Sequence, residues 1–480
     1  MMTANEKIKE QLGNLLPIHI VALLLTLTIF FFMASFNLSE NNQLLLWQFL
    51  LITTFIWMIW SWVKLKKTFF NPYGLFLIAA FLFNFSWIIL SFIPGNSVAL
   101  LANYFPTNVV VMTIIVVDLS IMGLHLGALL AVTFFSRSKE KKALSIADEN
   151  LIIVGYFLIL VSIYPFFLTI KEAVSLSISS GYTSLYQLAP TTGLLAGPTI
   201  LASFIIPGTL LLLAGSKKDR ATRLISLLLV ISIAVLQLVV GKRSTAIMPL
   251  VAYIWLWHKT IKPVNIIVIS ALSVLFLCLL FPIIRISRDI SGIDKFSWQN
   301  ISNSLSTTNP LLDTLNEMGS SIKTTAYTTQ LIPLHRHWDL GTSYLYSLTT
   351  IMPNFFWKIH PAIQHGTLSD WLITTVDPVA AKNGLGLGYS FIAEAYANFG
   401  FYGSWIITMV IGIFFVSISE FAEIRKDKLY FAGLAAYLSF FLFFARGESV
   451  GIIRPFFWYS LLPIGLVLMI NKYRAKKMSA

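Results

Sequence analysis

An all-α polytopic membrane protein is the fold class this sequence predicts, and three observations carry the prediction. Of 480 residues, 57% are hydrophobic and only 11% are charged, against about a quarter charged in an ordinary soluble domain. The apolar residues come in runs long enough to cross a bilayer. The basic residues between those runs fall in alternate connections.

Twelve apolar runs lie near 18–36, 44–62, 73–93, 108–135, 149–170, 193–214, 223–240, 244–258, 263–284, 387–419, 429–445 and 454–470. About 20 apolar residues cross the hydrocarbon core as a helix. Most runs far exceed strand length, so helices rather than a barrel must satisfy the backbone in lipid. The eighth run is short. The tenth is longer than one span and reads as a re-entrant piece followed by a helix. The N-terminus lacks a small-residue cleavage site, so the first run reads as a retained helix.

Orientation follows from charge. Twenty-two of the 34 Lys and Arg residues sit in alternate connections or at the termini. They include Lys64–Lys67, Arg137–Lys142, Lys217–Arg223, Lys259 and Lys262, Arg425–Lys428 and Lys472–Lys477. The first two connections on the opposite side contain none. The positive-inside rule then places both termini in the cytoplasm. It also accounts for the net charge of +13 without nucleic acid. The single cysteine, Cys278, lies in an apolar run and forms neither an intrachain disulfide nor a thiolate metal site.

The organisation expected is nine transmembrane helices over 1–284, a large outer loop with short helices over 285–386, and three more helices with a cytoplasmic tail over 387–480. A loop of that length favours a functional role. Its segments around Leu311–Ile332 and Tyr344–Ile359 read as short amphipathic helices, resting on the membrane surface or roofing a cavity.

Polar chemistry collects on the outer side. Arg243, Arg285, Arg288, Arg446 and Arg454 lie at or just inside the outer ends of expected helices, where charge is costly unless something anionic binds. The planar guanidinium fork suits phosphate oxygens, and the competing reading is snorkelling or pairing with acids such as Glu448. Glu394 lies in an otherwise uncharged stretch and needs a partner, after Gly384, Gly386 and Gly388. Glu317, His335 and His337 are further acid–base candidates, with Asp339 beside the histidines. Two histidines without a third strong ligand do not make a metal site, so none is expected. No Walker, Rossmann, kinase, serine-hydrolase or zincin motif occurs, so no cofactor is expected and a reaction on the outer side must draw its driving force from its substrate.

These segments together resemble the O-antigen and capsular polysaccharide polymerases, the Wzy-type family. The resemblance rests on GKRST (Gly241–Thr245), RISRD (Arg285–Asp289), NEMGSS (Asn316–Ser321), GLGYSFIAEAYANFGFYG (Gly386–Gly403) and ARGE followed by Arg454. It spans about 240–455, and the N-terminal half resembles the family only in hydropathy. It implies a glycosyltransferase-C-like membrane enzyme of the cytoplasmic membrane that joins undecaprenyl-diphosphate-linked repeat units on the outer face. The growing glycan would pass to the non-reducing end of an incoming unit. The five arginines would bind diphosphate, with Glu317, Glu394 or a loop histidine as base. Lys242, Tyr389, Tyr396 and Asn398 would support the site or contact sugar. Membrane lipid, a chain-length regulator and a flippase are the partners implied, and nucleic acid is not. Three rivals stand beside this reading: a flippase or secondary transporter, an O-antigen ligase, and a structural or assembly membrane protein.

Overall fold

The computed structural model describes residues 4–35, 38–94, 101–137, 146–186, 197–289, 309–352 and 357–479, with isolated positions 297, 299 and 302. Among the described residues every regular element is helical. In chain order they are α1 (Ala4–Phe32), α2 (Glu40–Lys66), α3 (Pro72–Asn84), α4 (Ser86–Leu90), α5 (Thr107–Ser136), α6 (Asp148–Ser179), α7 (Gly197–Ala202), α8 (Ile205–Gly215), α9 (Arg220–Val240) and α10 (Arg243–Thr260). Then come α11 (Ile266–Leu275), joined through a π turn to α12 (Phe281–Asp289), and six short helices. These are α13 (Pro310–Gly319), α14 (Ile322–Leu331), α15 (Thr342–Thr349), α16 (Pro361–His365), α17 (Leu368–Val376) and α18 (Pro378–Lys382). The last are α19 (Phe391–Arg425), α20 (Lys428–Phe441), α21 (Val450–Pro455) and α22 (Leu462–Ser479).

Ten segments among the described residues are helical, long and apolar enough to cross a membrane, where the sequence predicts about twelve. The difference falls on the third and eighth runs. The third breaks at Phe85, leaving α3 with 13 residues and α4 with five. Its Ser86 hydroxyl donates back to the Leu82 carbonyl at 2.9 Å, and the Trp87 indole donates to the Asn316 carbonyl at 2.7 Å. The eighth forms α10, whose 18 residues begin with Arg243 and end with His258 and Lys259 in the last turn. Those polar ends shorten its apolar stretch. The tenth run forms α19, 35 residues interrupted at Gly400 (φ 65°, ψ −162°).

Helix α5 is the axis of the bundle, buried almost all round and packed by α1, α2 and α19. Close approach to α19 requires glycine. A Cβ on Gly123 would overlap the Trp405 carbonyl, and one on Gly127 the Met409 carbonyl. The Thr408 hydroxyl donates to the Ser120 carbonyl across the same seam at 2.6 Å. On the other side of α5 a buried network joins α1, α2 and α3. His19 Nδ1 accepts from the Trp57 indole (3.2 Å), so its Nε2–H donates to the Met122 carbonyl (2.8 Å). The Ser61 hydroxyl donates to the Met58 carbonyl (3.1 Å) and accepts from His125 Nε2 (2.9 Å), while His125 Nδ1 accepts from Tyr73 (3.1 Å). Each ring has one donor and one acceptor in use, which fits two neutral imidazoles.

Ion pairs gather the basic connections at one end of the bundle. Lys66 meets Glu420 and Lys259 meets Glu423, both at 2.5 Å; Lys428 meets Asp148 at 2.6 Å and Arg474 meets Glu149 at 3.2 Å. The ends of α2, α10, α19 and α22 thus lie beside the starts of α6 and α20. The loop helices α13–α18 lie toward the opposite end.

Gly127→Ala should lower folding stability by about 1–3 kcal/mol, the usual cost of overpacking a tight interface. Gly465→Ala, which meets nothing within 4 Å, should leave it unchanged or slightly raised. Melting curves of the detergent-solubilised protein followed by tryptophan fluorescence check both.

Candidate functional site

Two polar clusters form at the end opposite the ion-paired basic connections. The first lies where α10, α12 and α13 meet. Gly241 ends α9 in the left-handed conformation (φ 95°), turning the chain so that Arg243 opens α10. Arg243 is buried, forms an ion pair with Glu317, donates to the Phe281 carbonyl at 3.3 Å and lies 5.2 Å over the Phe281 ring. Glu317 stands on α13, which Asn309 caps and Pro310 opens. Gly319 lets α13 press on α4: a Cβ there would meet Trp87 at 2.6 Å. Lys323 lies over Trp87 (5.4 Å) and Tyr104 (4.6 Å), and burial lowers its pKa. Lys242 is half-buried, its pKa likewise lowered by desolvation.

The second cluster centres on the tight turn Arg446–Ser449 between α20 and α21. Glu394, in the first turn of α19, is fully buried. It accepts from the Ser449 amide (2.7 Å), the Ser449 hydroxyl (2.6 Å) and the Ser343 hydroxyl (3.0 Å). One helical turn on, Asn398 donates to Ser343 at 2.8 Å and accepts from the Gly341 amide at 2.8 Å. Glu448 accepts the Leu368 and Ser369 amides at the start of α17, at 2.9 and 2.8 Å. Arg446 packs against Gly388, whose φ of 73° favours glycine and where a Cβ would stand 3.2 Å from the guanidinium Nε. The Tyr389 hydroxyl is buried against Thr328 at 3.0 Å.

Arg454 stands a turn into α21. Its Nε donates to the Thr350 carbonyl at 2.9 Å, and with Thr199, Ser203, Thr350 and Tyr459 it lines a cavity of about 250 Å³. Asn84 and Trp87 join the two clusters. Asn84 donates to the Ala445 carbonyl (3.0 Å) and accepts from Ser390 (2.9 Å), three residues before Trp87 reaches Asn316.

Of the predicted arginines, Arg243, Arg446 and Arg454 are partly or fully buried within these contacts. Arg285 is exposed on α12, and the Arg288 side chain lies outside the described residues. His335 and His337 are exposed on the turn after α14, where Arg336 pairs with Asp339 at 2.8 Å and lies over Trp371 at 4.9 Å. Tyr396 packs edge-on against Trp338. No group of three or more metal-binding side chains occurs among the described residues. Glu394 proves to be partnered by serines. Sequence reasoning missed Asn84, Trp87, Ser343, Ser449 and the roles of Glu448 and Lys323. A lone asparagine in the apolar FLIAAFLFNFSWII stretch was the available signal for Asn84.

An all-α, multi-span membrane protein, with two polar clusters at the end opposite its ion-paired connections, is the class these features define. The chain belongs to the O-antigen polysaccharide polymerase Wzy family, whose model matches residues 18–478. No curated protein and no solved structure matches it. It is accordingly a membrane glycosyltransferase that polymerises lipid-linked oligosaccharide repeat units, which decides against the transporter, ligase and assembly-protein readings. The match extends through the N-terminal half, beyond the segments in which the sequence shows the resemblance.

The Glu448 carboxyl is pushed up to about 8, first by burial and then by the Glu394 charge. A folded-state value above the ordinary glutamate value of 4.5 means the folded protein holds this proton more tightly than the unfolded chain. That contribution to stability is full below about pH 4.5 and is lost as pH rises through about 8. The melting temperature of the wild type should therefore fall relative to Glu448→Gln between about pH 5 and about pH 8. Parallel pH profiles would exclude a titrating Glu448.

Proposed function

We propose that the two clusters form one polymerisation site facing away from the cytoplasm, with undecaprenyl diphosphate as the lipid carrier. The observation that carries this reading is the convergence of Arg243, Arg446 and Arg454 at the end opposite the ion-paired lysines and arginines. The positive-inside rule assigns the basic end, and with it both termini, to the cytoplasm. Counting α3–α4 and α10 as crossings keeps every basic connection on that side, which supports twelve passes and a glycosyltransferase-C-like arrangement. The loop over 285–386 then lies outside, between helical parts over 1–284 and 387–480.

In the reaction proposed, a hydroxyl at the non-reducing end of the incoming unit attacks the anomeric carbon of the growing glycan. The new C–O bond forms as the anomeric carbon–diphosphate bond breaks, and the electron pair leaves with the lipid diphosphate. Arg243, Arg446 and Arg454, with Arg285 and Arg288 near the start of the loop, supply the positive charge that stabilises the departing diphosphate. Lys242 adds to that field. The hydroxyl proton passes to Glu317, His335 or His337, which are more accessible than Glu394. Glu394, sealed by three donors, holds the turn Arg446–Ser449 in place. Asn398 and Tyr389 support that geometry, and Tyr396 with Trp338 offers aromatic surface near the sugar. A flippase that delivers units and a chain-length regulator are the partners this reaction calls for.

Arg243→Ala, Arg446→Ala and Arg454→Ala should each lower polymerisation by about 10²–10³-fold, the cost of removing one donor to developing negative charge. Purified protein in lipid vesicles with synthetic undecaprenyl-diphosphate repeat units, the products resolved as a ladder, provides the measurement. A full ladder from any variant with normal folded yield removes that arginine from the mechanism.

A further inference from the structure

Helix α15 buries the face that a water-exposed loop helix would show. Ser343, Ser347 and Thr350 recur at helical spacing and point inward, each no more than 8% exposed. They are held there by specific contacts. Ser343 donates to Glu394, Ser347 shares a hydrogen bond with Ser449 at 2.7 Å, and Thr350 gives its carbonyl to Arg454. The opposite face presents Leu345, Leu348 and Met352, which are 62%, 48% and 48% exposed. Helix α17 in the same loop has the reverse pattern. It buries Leu368, Leu372 and Ile373 and exposes Asp370, Thr374 and Thr375. Apolar-in, polar-out is the arrangement water selects; polar-in, apolar-out is the one lipid selects.

Depth points the same way. The Ile351 carbonyl, just past α15, accepts from the Trp458 indole at 2.8 Å. Trp458 lies eight residues into the segment Val450–Lys477, one of the ten candidate spans. At a rise of 1.5 Å per residue that is roughly 12 Å along the helix from its outer end. Trp458 in turn packs on Phe204 of another candidate span, Gly197–Gly215. The end of α15 is therefore tied to the outer flank of the bundle, beside exposed apolar side chains such as Phe457 and Leu461.

We infer that α15 is seated in the leaflet opposite the basic end of the bundle, with Leu345, Leu348 and Met352 among lipid acyl chains. The Glu394 node then has a lipid-embedded helix for one wall. The cavity beside Arg454, which shares Thr350 with this segment, borders the hydrocarbon as well as the loop. A group carried on a membrane lipid reaches it sideways, without leaving the bilayer.

The test uses the full chain with Cys278→Ala, which removes the one native thiol. Single cysteines are placed by Leu345→Cys and Leu348→Cys and labelled with an environment-sensitive fluorophore. Leu228→Cys, on an exposed apolar face of α9, and Thr374→Cys, on the exposed face of α17, serve as lipid and water references. Each protein is reconstituted in phosphatidylcholine–phosphatidylglycerol vesicles and challenged with doxyl-labelled lipid or with iodide. Labels at 345 and 348 should be quenched by doxyl lipid as at 228, with iodide quenching severalfold weaker than at 374. Iodide quenching equal to that at 374 overturns the inference. Protection from both quenchers also overturns it and assigns the face to a protein contact, a second copy included. With two positions on one face, either alone suffices if the other variant fails to fold.

Discussion

A fully buried carboxylate has to be satisfied by the protein around it, and the arrangement of the end opposite the ion-paired connections follows from how Glu394 meets that demand. Its oxygens draw in the Ser449 amide and hydroxyl and the Ser343 hydroxyl. Three parts of the chain far apart in sequence are thereby fixed to one point: the start of α19, the turn before α21, and α15 from the large loop. An unsatisfied buried acceptor costs on the order of 1–3 kcal/mol, more when charged, so the three segments hold one another in register. Arg446 lies three residues before Ser449 and Arg454 five residues after it, and their placement is inherited from this node.

Asn84 and Trp87 extend the same logic to Arg243. The third apolar run gives up a continuous helix at Phe85, and the polar groups on either side of the break reach out to the Ala445 and Asn316 carbonyls. A break in a helix within lipid is tolerated where neighbouring protein takes up the freed groups. Here those neighbours carry the two clusters, so the interruption connects Arg446 to the Arg243–Glu317 pair through a few packed residues.

Hydropathy and charge made most of the fold legible. The apolar runs correspond to helices, and the basic connections meet at one end as their alternation requires. The span count was less legible, because a run such as 73–93 reads as continuous when its interruption is set by tertiary contacts to Gly319 and Asn316. The arginines at helix ends were conspicuous because charge is rare there. Their partners were not: which of Glu317, Glu448 or a backbone carbonyl each arginine would meet depends on contacts between residues 38 to 104 positions apart. Ser343 and Ser449 gave no signal at all, since hydroxyls in a loop are unremarkable until something buries them. The inside-out pattern of α15 was visible only as generic amphipathicity, because periodicity alone does not say which face meets protein.

Four consecutive residues, Arg446 to Ser449, make separate attachments. Arg446 packs against Gly388, the Gly447 amide donates to the Phe444 carbonyl at 3.2 Å, Glu448 seats α17 and Ser449 binds Glu394. The chain therefore has no freedom of length here. Inserting or deleting one residue would move every downstream attachment out of step with its partner, and no rotamer change restores all of them. Natural variation of this enzyme should accumulate as substitutions around that turn and as length changes in the stretches between the loop helices.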